Sequence, residues 1–151
     1  MAEKGMFLVA NLVAYHAMKD RAAKLGMTAE SLEKNEIVLE GGLRSLEICR
    51  RHGVPVAYGS DLLGDLHWDQ SREFSLRREV AAPIEIIRSA TTIAAQILRL
   101  DGKAGTLQPG AWADLVVVDG DPLQDLALLE DQGKHLSVIM KAGKFHKLRL
   151  N

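Results

Sequence analysis

The fold is decided by residues 102–119, which read GKAGTLQPGAWADLVVVD. Within this stretch, Gln108-Pro109-Gly110 predicts a tight turn, because proline fixes φ and glycine can adopt a positive φ. Residues 115–118 form a continuous run of aliphatic, mostly β-branched side chains whose length is that of a buried strand. Turn and strand together indicate that the end of the chain is built from short strands.

The part of the chain before this stretch predicts a strand, a long helix and a second strand. Met6–Tyr15 is apolar without strict alternation, which is typical of a strand buried on both faces. The helix is expected to follow Thr28, a suitable N-cap, and to end before Gly53. Val54–Tyr58 is the second strand. This βαβ order implies parallel strands and a right-handed crossover.

Helical segments are predicted after the second strand. Leu62–Gln70 is expected to be a polar, irregular loop, and helices should follow at Ser71–Ala81 and Pro83–Leu100, since proline suits the first turn of a helix. Arg77-Arg78 is interpreted as part of a solvated helix face. A further short helix is expected at Leu123–Asp131, between the terminal strands.

Four motifs, in this order along the chain, resemble those of the amidohydrolase superfamily. They are the second strand with Gly59-Ser60-Asp61 at its end, the helical segment 84–100, the stretch 102–119, and a hairpin at 138–144. The Leu-Leu-Gly after the aspartate and the segment 70–74 are most similar to the branch of imidazolonepropionase-like and Xaa-Pro-dipeptidase-like hydrolases.

The resemblance implies an α/β fold with two parts. Residues 1–102 are expected to be the last two strand–helix units of a (β/α)8 barrel of the TIM type, and residues 103–151 the C-terminal return strands of a small β-sandwich. One βαβ unit cannot close such a barrel, which needs eight strands and about 250 residues. We therefore expect the chain to be the C-terminal portion of an enzyme whose N-terminal barrel part is its missing partner.

Composition limits the class of protein. The chain has 151 residues, a net charge of −1, 47% hydrophobic and 26% charged residues, which is typical of a soluble globular protein. The balanced charge gives no reason to expect nucleic acid as a partner. No apolar run reaches the ~18 residues of a membrane span. We expect a cytoplasmic location and no membrane partner, although a signal peptide upstream of this chain would be invisible.

Asp61 is the strongest candidate for chemistry, because it follows a strand directly, at the end where (β/α)8 enzymes carry catalytic groups. The resemblance implies that it binds a divalent metal, expected to be zinc. It also implies that Asp61 moves the proton of a metal-bound water as general base and then general acid. The alternative is an aspartate that caps the next segment after the Gly-Ser turn.

Two further residues are candidates for substrate binding. Tyr15 ends the predicted first strand, where it could bind a carboxylate or carbonyl, or pack as a rim residue. His67 lies in the loop after Asp61 and could face the mouth of the site, or be a solvated loop histidine. His16 is expected to be exposed.

The rest of the superfamily's metal site is not found in this sequence. Its members supply a His-x-His pair, a lysine or glutamate and two single histidines from earlier strands. The five histidines here contain no His-x-His pair, and a catalytic zinc usually needs three protein ligands. We therefore expect this chain alone to hold no metal and to be inactive.

The resemblance implies that the intact enzyme hydrolyses a C–N bond in a small amide substrate, such as a dipeptide, an N-acyl amino acid or a cyclic amide. We expect the intact enzyme to be a homo-oligomer. The alternative is a noncatalytic chain or subunit that folds with a partner.

Overall fold

The computed structural model describes residues 1–149, and its first part is a βαβ unit. The elements are β1 (Leu8–Ala10), α1 (Leu12–Asp20), α2 (Ala29–Arg51) and β2 (Val56–Tyr58). β1 and β2 pair in parallel and form a two-stranded sheet. The predicted order of strand, long helix and parallel strand is therefore confirmed.

α2 begins and ends at the residues that the sequence indicated. The Thr28 side chain accepts a hydrogen bond from the Ser31 amide at 3.2 Å, which satisfies one of the free donors of the first turn. Beyond the last turn, Gly53 has φ +64°. Gly42 lies so close to α1 that a Cβ there would collide with Leu12 Cδ2. Glycine in mid-helix therefore allows the two helices to approach.

The first strand is shorter than the predicted Met6–Tyr15. Pairing with β2 stops at Ala10, and α1 begins at Leu12, so the second half of the apolar run is helical. Four residues of α1 are buried, namely Leu12, Val13, Ala14 and Ala17. An apolar run without strict alternation fits a buried strand and a buried helix equally well, and the pairing strand, β2, has only three residues.

The region after β2 is more helical and more broken than predicted. Gly64–Arg72 forms a 3-10 helix rather than an irregular loop. It continues into α3 (Glu73–Leu76) and a 3-10 turn at Arg77–Glu79. The predicted long helix is divided into α4 (Pro83–Ala90) and α5 (Thr92–Ile97).

Thr91 is the break between these two helices. Its backbone has φ −121° and ψ −93°, and its hydroxyl donates to the Ile87 carbonyl at 2.8 Å. A side chain that bonds the preceding turn competes with the helical ladder. The chain segment around Gly105 then packs directly against the Thr91 backbone.

The last part is a three-stranded antiparallel sheet in the order β3 (Leu115–Val118), β4 (Leu136–Lys141) and β5 (Lys144–Leu148). The hairpin predicted near its end is confirmed, and Ala142 and Gly143 both have positive φ at its turn, as a type I′ turn requires.

Two expectations for this part were wrong. β3 is not a buried strand, because Val116 and Val117 are 52% and 42% exposed on the three-stranded sheet. In place of a helix at Leu123–Asp131 there are two 3-10 turns, Leu126–Leu129 and Asp131–Gly133. Residues 150 and 151 of the predicted sandwich segment lie outside the described residues.

The core is aliphatic and lies beside the parallel sheet. One cluster consists of Val13, Ala14, Ala17 and Leu62, and a second of Ala10, Leu12 and Leu46. Both clusters lie against the segments that leave the carboxyl ends of β1 and β2. Within residues 1–149, no helix combines the length and the apolar character needed to cross a membrane.

Candidate active site

The carboxyl ends of β1 and β2 lie at the same edge of the parallel sheet. Val9 is opposite Ala57, and Ala10 is opposite Tyr58. The residues that follow the two strands, Asn11 on one side and Gly59-Ser60-Asp61 on the other, are therefore neighbours. This edge is where parallel α/β folds bind their ligands.

Asp61 stands on a turn that points its side chain outward. It has φ +51° and is exposed, whereas the next residue, Leu62, is 4% exposed and belongs to the core. Aspartate tolerates this left-handed conformation better than most residues. The 3-10 helix that follows has Leu63 at its N-cap and no side-chain cap. The alternative role of Asp61 as a cap is therefore not what the structure contains.

Gly59 and Asn11 are in close contact at this edge. A Cβ on Gly59 would collide with Asn11 Oδ1 and would lie 2.6 Å from Val9 Cγ1, so no larger residue fits without movement. Among the described residues, Asn11 Oδ1 is buried and has no hydrogen-bond partner. The one feature of the sequence that indicates a special role for Asn11 is that it is a polar residue inside an apolar run.

Tyr15 is not placed as the sequence predicted, whereas His67 follows Asp61 and is exposed, which agrees with both of its interpretations. Tyr15 lies within α1 rather than at the end of a strand. It is half-buried, and its carbonyl accepts a hydrogen bond from Asn35 Nδ2 at 3.1 Å. His67 is exposed in the 3-10 helix after Asp61. Neither residue is hydrogen-bonded to Asp61 within the described part of the chain.

His16, beside Tyr15, was expected to be exposed, and this was wrong, since it is half-buried. Burial, and then the nearby charge of Arg72, lower the pKa of the imidazole. A lowered pKa favours the neutral form of His16 near pH 7.

A buried ion pair lies against the ends of β1 and β2, and it was not predicted from the sequence. Arg77, which was interpreted as solvated, is 2% exposed, and its partner Glu73 is fully buried. Arg77 Nε lies 2.7 Å from Glu73 Oε1. Arg78, by contrast, is exposed as predicted. The i,i+4 spacing of the pair was the available signal, but most such pairs are solvated.

Aromatic side chains cover this ion pair. The Tyr58 ring lies 4.5 Å from the ring of Phe74 and 5.3 Å from the guanidinium of Arg77. The Tyr58 hydroxyl donates to the Gln70 carbonyl at 2.6 Å, and burial raises its pKa well above the ordinary value. Burial also raises the pKa of Glu73, against the opposing effects of Arg77 and of a backbone amide. Tyr58 therefore stays neutral and acts as a structural hydroxyl.

The described residues do not by themselves fit a divalent metal. Residues 1–149 contain no group of three or more His, Cys, Asp or Glu side chains that could hold one. Asp61 has the right chemistry for a single ligand, since carboxylate oxygen binds zinc and magnesium alike. Further ligands would have to come from outside this part of the chain.

One protein family matches almost the whole chain. The model of the family described as "Amidohydrolase family" matches residues 1–145. The chain belongs to the amidohydrolase family. The α/β arrangement of a parallel sheet and a small antiparallel sheet fits structures of this family.

Several solved amidohydrolases resemble this chain closely. A prolidase in complex with N-methylphosphonate-L-proline is 43% identical, and the match covers 99% of this chain with a TM-score of 0.91. A Xaa-Pro dipeptidase with bound methionine is 25% identical over 97% of this chain, with a TM-score of 0.81. Among curated relatives, the ochratoxinase of Aspergillus niger is 26% identical over 97% of this chain.

This amidohydrolase chain spans about a third of the length of these relatives. It corresponds to 36% of the prolidase chain, 36% of the Xaa-Pro dipeptidase chain and 30% of ochratoxinase. The names printed for these relatives are prolidase, Xaa-Pro dipeptidase and ochratoxinase.

Proposed function

We propose that this chain is the C-terminal portion of a metal-dependent amidohydrolase that cleaves the C–N bond of small substrates. Prolyl dipeptides are the first candidates, because a 43% identical relative is named as a prolidase and was solved with a proline derivative. N-acyl amino acids and cyclic amides are the next candidates.

The observation that carries this proposal is the position of Asp61. It follows a parallel strand directly, its side chain is exposed, and its neighbour Leu62 is fixed in the core. A carboxylate held in this way can accept a proton from an attacking water. It can then return that proton to the leaving nitrogen, as general base followed by general acid.

We further propose that the assembled enzyme binds a divalent metal and that this metal is zinc. Asp61 would provide one ligand, and the remaining ligands would come from the portion of the related enzymes that this chain does not span. Tyr15 and His67 are proposed to contribute to substrate binding, although neither hydrogen-bonds Asp61. The assembled enzyme is further proposed to be a cytoplasmic homo-oligomer.

A second candidate function is that of a noncatalytic chain that folds with a partner. The observation that favours it is the ligand count, since residues 1–149 offer no group of three metal-binding side chains. The nucleotide sequence upstream of Met1 separates the two candidates. An open frame that encodes His-x-His and a strand-four lysine supports the enzyme, whereas a ribosome-binding site preceded by a stop codon supports the noncatalytic chain.

The test of the first function is the substitution Asp61→Asn, made in this chain and assayed after co-expression with the N-terminal part of the barrel. Asparagine keeps the size of the side chain but cannot take and return a proton. We expect kcat for Xaa-Pro dipeptides to fall by at least about a hundredfold, within the ~10²–10⁴ range of general acid–base groups.

Asp65→Asn is the matched control. Asp65 is exposed in the next 3-10 helix, and its carboxylate contacts Lys24 Nζ at 3.2 Å across the surface, so its loss should leave kcat within about twofold. His67→Asn should act mainly on KM. All variants are compared at equal metal content. Near-normal turnover of Asp61→Asn together with loss of activity in His67→Asn would assign the proton transfer to the histidine instead.

A further inference from the structure

The Glu73–Arg77 ion pair has no part in the chemistry proposed for Asp61, yet Arg77 bonds the carbonyl of Ala57, four residues before Asp61. Two charges that leave water lose their hydration, and their attraction offsets this loss when further hydrogen bonds satisfy both groups. Apolar residues of similar volume often stabilise a core as well as such a pair does. The need to fill this part of the core therefore does not explain why a charged pair, rather than an apolar one, occupies it.

Arg77 connects the two parallel strands at the point where their pairing ends. Its Nη2 donates to the carbonyl of Ala10, the last residue of β1, at 2.7 Å. The same nitrogen donates to the carbonyl of Ala57 in β2 at 3.1 Å. The last backbone pair of the sheet is Ala10 with Tyr58, so the planar guanidinium continues the connection where the two chains leave the sheet.

Glu73 fixes the other side of this arrangement. Its Oε2 accepts the amide of Val13 in the first turn of α1 at 2.7 Å, while Oε1 accepts Arg77 Nε. Arg77 Nη1 also reaches Ser89 Oγ in α4 at 3.3 Å. The exit of β1, the end of β2, α3 and α4 thus meet in one hydrogen-bonded unit.

The segment from Ala57 to Asp61, which this hydrogen-bonded unit holds, includes a residue in a strained backbone conformation. Asp61 has φ +51°, and a non-glycine residue keeps such a conformation when its surroundings determine it. The bond from Arg77 falls on Ala57, four residues earlier in the same segment. Gly59, in the same segment, is in such close contact with Asn11, which follows β1, that a change in the strand separation would move both.

We propose that Glu73 and Arg77 are positioning residues that set the separation of the carboxyl ends of β1 and β2, and with it the position of the Asp61 carboxylate. The inference relies on the proposed function for what Asp61 does, but not for where Asp61 stands. An apolar pair would fill the same space without fixing the Ala10 and Ala57 carbonyls.

The first experiment measures position, by amide hydrogen exchange on the 151-residue chain. Arg77→Met removes every bond of the guanidinium, Arg77→Lys keeps the charge but loses the fork, and Arg78→Met changes an exposed neighbour as the matched control. Exchange at residues 10–13 and 57–63 should accelerate about tenfold or more in Arg77→Met, less in Arg77→Lys, and not in Arg78→Met. α2 should keep its wild-type exchange rates in all three variants.

Two exchange results would overturn the proposal. One is unchanged exchange in Arg77→Lys and Arg77→Met. The other is an equal acceleration across the whole chain, α2 included, which indicates a general loss of stability. If Arg77→Met does not fold, Arg77→Lys alone decides between local and general change.

The second experiment measures the consequence for chemistry, in the enzyme assembled with the N-terminal barrel part. Arg77→Lys should lower kcat ten- to hundredfold, as expected for a misplaced catalytic group, with KM within about twofold. Local loosening in the exchange experiment without any change in kcat would refute positioning for catalysis.

The two experiments distinguish a failure of the proposed function from a failure of the positioning role. If Asp61→Asn keeps its turnover, Asp61 is not the proton carrier, and the exchange data still decide whether Glu73 and Arg77 hold its turn. If Asp61→Asn is inactive while Arg77→Lys has normal kcat and normal exchange, the function stands and the positioning role is wrong.

Discussion

Gly105 provides the sharpest test of how the connecting stretch 102–119 packs on the rest of the chain. A Cβ built on Gly105 would lie 2.5 Å from both the carbonyl carbon and the carbonyl oxygen of Thr91, and 3.0 Å from the Thr92 amide nitrogen. These are backbone atoms at the junction of α4 and α5, so no side-chain rotation can relieve the contact. Gly105 also has φ +69°.

Gly102 is a matched control for Gly105, because it has the same φ of +69°. A Cβ on Gly102 would meet only the flexible end of Gln108, at 3.1 Å from Nε2. Both alanine variants carry the cost of a left-handed conformation, about 1–2 kcal/mol. Gly105→Ala should add the cost of overpacking, about 1–3 kcal/mol. The total is therefore about 2–5 kcal/mol for Gly105→Ala and about 1–2 kcal/mol for Gly102→Ala.

The free energy of unfolding is measured by urea titration with far-UV circular dichroism, and the quantity that matters is the difference between the two variants. Alanine restricts the unfolded chain by a similar amount at each position, so this effect cancels in the difference. Gly110→Ala, at φ +87° with open space around its Cβ, should match Gly102→Ala. Equal midpoints for Gly105→Ala and Gly102→Ala would refute the contact with Thr91.

Three further predictions concern the chain on its own. Purified alone, it should retain no stoichiometric zinc, because residues 1–149 offer no group of three ligands; elemental analysis that finds one tightly held zinc per chain would contradict this. The chain should self-associate in size-exclusion chromatography, because Val9 in the two-stranded sheet is 47% exposed and exposed apolar surface drives association; a sharp monomer peak would count against it. The Ala82 amide lowers the pKa of Glu85 below 4.5, so its ionised form contributes stability above pH 4.5 that is lost as the pH falls through the folded pKa. Glu85→Gln should therefore lower stability at pH 7 by less than about 1 kcal/mol, given the exposure of Glu85, with no difference in strong acid; an equal difference at both pH values would refute the assignment.

The start and the end of α2 were predicted correctly, because residues close to them in sequence determine both. The start of α2 depends on Thr28 and Ser31, three residues apart, and its end on Gly53 with φ +64°. The hairpin between β4 and β5 was expected from the family resemblance of residues 138–144, and its turn is formed by two adjacent residues of positive φ, Ala142 and Gly143. In each case the residues that determine the structure are neighbours in sequence, so their pattern is visible without the fold.

The buried ion pair shows what the sequence could not predict. Glu30 and Lys34 have the same i,i+4 spacing as Glu73 and Arg77, and their side chains are 76% and 72% exposed. What distinguishes the second pair is its set of acceptors, since Arg77 bonds the carbonyl of Ala10, 67 residues away in sequence. Only the tertiary structure brings that carbonyl within reach, so the two pairs cannot be told apart by spacing.

The same reasoning applies to β1 and to Tyr15. The apolar run Met6–Tyr15 carries no periodicity that separates a strand from a buried helix. The change occurs at Asn11, where pairing with β2 ends, and Glu73 accepts the amide of Val13 in the new helix. Because that acceptor is 60 residues away, the end of the strand and the position of Tyr15 both depended on a contact that the sequence does not display.

The energetically costly features of the βαβ unit are concentrated at one edge of its sheet. At the carboxyl ends of β1 and β2 lie a buried ion pair, the Asn11 Oδ1 atom without a partner among residues 1–149, and Asp61 at φ +51°. A strained backbone conformation of this kind costs about 1–3 kcal/mol. At the amino ends, Leu8 donates an ordinary backbone bond to the Pro55 carbonyl at 3.0 Å.

Natural sequences keep local conflicts of this kind mainly at functional sites. Three such costly features beside one another are not expected in a sheet that contributes only to stability. This distribution of cost is a reason, separate from sequence similarity, for the proposal that the carboxyl edge with Asp61 is the functional site. Glu73 and Arg77 are the residues to change first, because both are buried and bond the backbone of α1 and of the two strands.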